Sequence, residues 1–153
     1  MKSPLFGELR KTDYDAEWLE SQPIEIPYLD NSRLIITLVD TDDDFIKKAE
    51  EAFRNFLNLN PSDRENDSSK VLEYYNEVLN AGYTEELSID NDSDIWKYVN
   101  FNAITIVNWS QDETIYLLVS CGCEWEIEHG LELSFKNGER LVKANAHGDD
   151  IEE

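Results

Sequence analysis

Leu131-Glu132-Leu133-Ser134-Phe135, a turn at Asn137-Gly138, and Arg140-Leu141-Val142-Lys143 form the stretch that decides the class of this fold. Apolar and polar residues alternate on either side of Asn-Gly. That pair is the strongest short-range hairpin signal, because a tight two-residue turn needs positive φ at both central positions. Two antiparallel strands are therefore expected here. Moving toward the N-terminus, Thr114 to Ser120, a turn at Ser110-Gln111-Asp112-Glu113, and Ala103-Ile104-Thr105-Ile106-Val107 continue the strand pattern. The C-terminal third reads as sheet.

The first forty residues also read as short strands: Glu8-Leu9-Arg10, the segment around Trp18, Pro23 to Tyr28, and Leu34 to Val39. An antiparallel meander is the expectation. Pro23 and Pro27 lack ladder N–H groups, which sends their segment to a sheet edge or ends it quickly. Between the two β regions lie two helical patterns. Thr41 is expected to cap the first, with Asp42, Asp43 and Asp44 at the positive end of its dipole. Phe45, Ala49, Ala52, Phe53, Phe56 and Leu57 then recur at helical spacing until Asn60-Pro61. A polar loop over 62–67 precedes a second helix, with Val71, Leu72, Tyr75, Val78 and Leu79 inward and Gly82 at its end. Ile95 to Val99 is consistent with either a short helix or a strand entry.

These patterns predict an α+β fold: a mostly antiparallel β-sheet with two main amphipathic helices packed on one face. Residues 1–147 are expected to form a single domain and the acidic tail 148–153 to fray.

Charge is the unusual feature. The chain carries 34 Asp and Glu against 13 Lys and Arg, a formal net charge of -21, beside a hydrophobic content of 41%. An ordinary core is thus dressed in carboxylates, which repel nucleic-acid phosphate and anionic membranes and favour a basic protein as partner. No nucleic acid, membrane or cofactor is expected. The apolar runs, such as Ile115 to Val119, are of strand length, and no export signal is read at the N-terminus, so the expected compartment is the cytoplasm.

Three clusters can be weighed for chemistry. Asp90-Asn91-Asp92-Ser93-Asp94 opens like a calcium loop, but the sixth position is Ile95 and the twelfth is Phe101, so turn glycine and clamping glutamate are both missing. Cys121, Cys123, Glu126, Glu128 and His129 include zinc-ligand types, yet Cys-x-Cys lacks the spacer that brings two sulfurs onto one tetrahedral ion. A thiol or metal enzyme centred on Cys121, Cys123 and His129 is the alternative to a binding protein. No phosphate loop, nucleophile elbow or zinc-helix motif is present, and His147 falls in a polar tail. Of the four tryptophans, Trp18, Trp96, Trp109 and Trp125, most are expected in the core. Trp125 is the candidate for a partly exposed interface anchor or a structurally special position, against which strand alternation turns it inward between Glu124 and Glu126.

The block Glu124-Trp125-Glu126-Ile127-Glu128-His129-Gly130-Leu131, together with Phe6-Gly7, Trp18 and Tyr74-Tyr75, resembles a family of uncharacterised bacterial domains of unknown function. The resemblance lends no catalytic or ligand residues. Within its block, Gly130 is expected to take positive φ between two strands, with His129 and Glu128 bonding the backbone of that bend. Small acidic domains of this kind resemble immunity proteins, which neutralise basic nuclease-like toxins by covering the active site. That resemblance implies a partner-binding face, expected at Glu85, Glu86, Asp90, Asp92 and Asp94 and at Glu124, Glu126 and Glu128. Trp125, His129 and Gly130 form a motif of unassigned role.

Overall fold

The computed structural model describes residues 1–108 and 114–148; Trp109, the expected turn over 110–113 and the tail from 149 lie outside them. The chain folds in the order β1 (Lys2–Ser3), β2 (Gly7–Glu8), β3 (Arg10–Lys11), β4 (Leu19–Glu20), β5 (Ile24–Ile26), β6 (Ser32–Leu34) and β7 (Ile36–Leu38). Helices α1 (Asp43–Leu57) and α2 (Pro61–Asn80) follow, then a 3-10 helix over Asp92–Tyr98. Strands β8 (Val99–Asn108), β9 (Ile115–Cys123), β10 (Leu131–Lys136) and β11 (Arg140–Asn145) complete it. Seven strands form one sheet in the order β11-β10-β9-β8-β7-β4-β3. The architecture is α+β, as the pattern predicts.

The expected N-terminal meander is not what forms. Among the described residues β5 and β6 pair only with each other, and β7 joins the main sheet between antiparallel β4 and parallel β8. The parallel pair has a topological cause: the chain leaves β7, passes through both helices and re-enters at β8, a helical crossover of the length that parallel strands require.

Register explains the core. Leu19, Leu38, Ile106, Leu117, Phe135 and Leu141 are successive cross-strand partners spanning six strands, and each is buried. Phe53 and Phe56 of α1 and Val71 and Tyr75 of α2 bury against the same core. The decisive hairpin forms as expected, with Asn137 at φ 53° and Gly138 at φ 71°. Ile95 to Val99 resolves as both alternatives at once, since the 3-10 helix runs directly into β8.

Two helix starts differ from the sequence reading. Asp42, not Thr41, caps α1, its carboxylate accepting from Phe45 N at 3.4 Å. The reason is Asp40, whose side chain accepts from both Thr41 N and Asp42 N and so turns the chain one residue later. Helix α2 begins at Pro61, and residues 62–67 are its first turns rather than a loop. Asn60 and Asp63 form a reciprocal capping box, and proline at the first helical position sacrifices no intrahelical bond.

Candidate functional site

The bend between β9 and β10 is built around Trp125. Its indole is 2% exposed and meets Tyr74 and Tyr75 of α2 edge-on, with ring centroids 5.8 Å away in each case. The inward orientation matches the sequence reading, although residues 124–130 form turns rather than a strand. Gly130 takes φ +64°, and a Cβ there would stand 2.7 Å from the Cys121 carbonyl oxygen and 2.9 Å from the His147 ring. Positive φ and lack of space both demand glycine.

The groups that satisfy this bend are not the two expected. Gly130 N donates to Glu126 O, Tyr74 Oη donates to Gly130 O at 2.8 Å, and His147 N donates to His129 O. Glu126 accepts from His129 N and pairs with His129 Nδ1 at 3.2 Å, so His129 is held from within its own turn. Glu128 is exposed. Tyr74 lies on a helix face 56 residues from Gly130 and His147 at a strand exit 18 residues from His129, separations invisible to local pattern.

The two acidic segments, far apart in sequence, meet at this end of the sheet. The Tyr75 hydroxyl accepts from Leu87 N at 2.7 Å while its ring packs on Trp125. The Tyr98 hydroxyl donates to Ser88 O, and the Tyr98 carbonyl accepts from Glu124 N. Each tyrosine thereby ties residues 84–94 to the 124–130 bend. Glu85, Glu86, Asp90, Asp92, Glu124 and Glu128 are exposed there, and Ile127 among them is 87% exposed.

Two of the eight carboxylates have structural work instead. Asp94 accepts from Asp90 N and Asn91 N and pairs with Lys97 at 3.1 Å. These backbone bonds, followed by Lys97, hold its carboxyl below the usual range. Glu126 shapes the turn described above.

Cys121 and Cys123 point into the core from alternate positions of β9. Burial pushes the Cys121 thiol well up and that of Cys123 to about 11, so neither is a ready thiolate near neutral pH. The Cys123 thiol instead faces Glu126 O, while His129 stays 63% exposed against Glu126. Among the described residues no group of three His, Cys, Asp or Glu is placed to hold a metal ion.

A family model for a domain of unknown function, DUF6985, matches residues 5–151. The chain belongs to this family. The match takes in both β regions and both helices, and the unknown-function family that the sequence resembles is shown to that extent. No curated protein and no solved structure matches the chain significantly. No helix among the described residues of this DUF6985 domain is long and apolar enough to cross a membrane.

Proposed function

We propose that this DUF6985 domain is a protein-binding module that engages a basic partner at the end of the sheet where residues 84–94 and 124–130 meet. The observation that carries the reading is the double tie made by Tyr75 and Tyr98, which gathers two distant acidic segments onto one side of the molecule. Six exposed carboxylates steer a basic surface into place, and Ile127 offers an apolar contact inside that ring of charge. Carboxylates arranged in this way substitute for phosphate in a groove built for nucleic acid. The partner that fits best is thus a nuclease-like toxin, neutralised by covering its active site.

The test compares two variants with equal change of charge. Glu124→Lys with Glu128→Lys alters the proposed face; Glu51→Lys with Glu65→Lys alters exposed positions on the helices. Each is used to capture proteins from a lysate of the native host at low and high salt, with identification by mass spectrometry. The proposal expects a basic protein that the wild type and the helix variant retain, that the Glu124/Glu128 variant loses, and that salt releases. Equal retention by both variants would refute it. Glu126 is left unaltered because its loss would disturb the turn itself.

A further inference from the structure

On the face of the sheet opposite the helices, Ser120 of β9 and Glu132 of β10 are direct cross-strand partners, so their side chains project side by side. His147, just past β11, lies over them. Its Nε2 is 3.3 Å from Ser120 Oγ and its Nδ1 is 3.4 Å from Glu132 Oε2. Serine, imidazole and carboxylate follow in the order that nucleophilic catalysis needs: the carboxylate fixes the tautomer with hydrogen on Nδ1, leaving Nε2 free to accept the hydroxyl proton. We propose that Ser120, His147 and Glu132 form a nucleophilic triad that cleaves small activated acyl esters or thioesters.

The surroundings favour this use. His147 is held by its backbone N–H on His129 O at 3.1 Å, and Gly130 leaves the space its ring occupies, since a Cβ there would strike Cδ2 and Nε2. His129 and Gly130 thus gain a role: they seat His147 beside Ser120. Once Nε2 has taken a proton it also has an acceptor in Cys121 O at 3.4 Å, which stabilises the imidazolium. Access is adequate, with Ser120 half-buried and the His147 side chain 35% exposed. Gly122 adds no side chain to this face, and the Asn100 amide lies over it, donating to Asn102 Oδ1 at 3.2 Å. Asn102 is the extra residue of the β8 bulge, next to Ala103, the cross-strand partner of Ser120. The bulge thus sets an amide-bearing residue next in sequence to the cross-strand partner of Ser120.

Ser120 Oγ attacks the acyl carbon as its proton passes to Nε2. The carbon–leaving-group bond then breaks, and the alcohol or thiol leaves with that proton. Water, activated by the same nitrogen, hydrolyses the acyl-serine, releasing the carboxylic acid and restoring the serine. Esters with good leaving groups are the expected substrates rather than amides, because breakdown of their tetrahedral intermediate asks least of oxyanion stabilisation.

The experiment treats the full chain with a fluorophosphonate probe and, separately, with p-nitrophenyl acetate, mapping the adducts by peptide mass spectrometry. The expected result is one adduct on Ser120. Ester hydrolysis should fall by roughly a hundredfold or more in Ser120→Ala and His147→Asn, and less in Glu132→Gln. Unfolding curves show whether each variant stays folded. Absence of a Ser120 adduct on the folded wild type, or hydrolysis by folded Ser120→Ala at the wild-type rate, would overturn the proposal. Wild-type labelling decides it even where a variant does not fold. It does not depend on the partner-binding reading, whose carboxylates lie outside this triad.

Discussion

Gly130→Ala tests the bend at which the binding and triad readings meet. Two effects oppose the substitution and one favours it. A non-glycine residue at φ +64° costs roughly 1–2 kcal/mol of backbone strain. A Cβ at 2.7 Å from Cys121 O and 2.9 Å from the His147 ring forces displacement, at about 1–3 kcal/mol. Alanine restricts the unfolded chain, which returns roughly 0.4–1 kcal/mol. Gly82→Ala isolates the backbone part, since Gly82 has φ +82° and nothing within 4 Å of a Cβ. Subtracting one variant from the other leaves the contact contribution of about 1–3 kcal/mol, equivalent to a further drop in Tm of about 3–10 °C. Urea unfolding followed by tryptophan fluorescence reads this directly, because Trp125 sits in the affected bend. Gly138→Ala should be the worst of the three, as its Cβ would overlap the Ala52 carbonyl oxygen on α1. If Gly130→Ala were no more damaging than Gly82→Ala, the packing of Cys121 O and His147 around Gly130 would be wrong.

The thiols provide a second test: Ellman's reagent at pH 8 should react with neither Cys121 nor Cys123 in the native protein and with both in denaturant, given burial and raised pKa. Fast native labelling would contradict the inward orientation of β9. For Asp94, the folded pKa lies below its unfolded value, so its contribution to stability is present above the ordinary carboxylate pKa and is lost as pH falls through the folded value. Asp94→Asn should therefore destabilise the domain near neutrality and flatten the acid side of its stability profile, measured by urea titration from neutral pH to below 4. A profile identical to the wild type would mean that the bonds of Asp94 to Asp90 N and Asn91 N contribute nothing to stability. Tyr74→Phe should cost about 1 kcal/mol through loss of its bond to Gly130 O, and unchanged unfolding would mean that bond contributes nothing.

Much of this molecule is legible from local pattern. Alternation and Asn-Gly suffice for the hairpin 131–143, because strand period and turn stereochemistry act within a few residues. The apolar stripe of α1 likewise names Phe45, Ala49, Ala52, Phe53, Phe56 and Leu57 as core; the first five are buried and Leu57, at the last turn, is half-buried against them. Gly130 is readable as a positive-φ position between strands. Charge, a sum over side chains, needs no structure at all. The parallel β7–β8 pair is not legible, since it depends on where a sixty-residue helical excursion, an approximate count, returns the chain. Nor is the gathering of residues 84–94 and 124–130, which rests on hydroxyls of Tyr75 and Tyr98 acting across elements. His147 reads as part of a polar tail and becomes a neighbour of Ser120 and Glu132 only through strand register. Local preferences decide which elements form; proximity between distant side chains belongs to packing, which alone sets the direction, register and layer of each element.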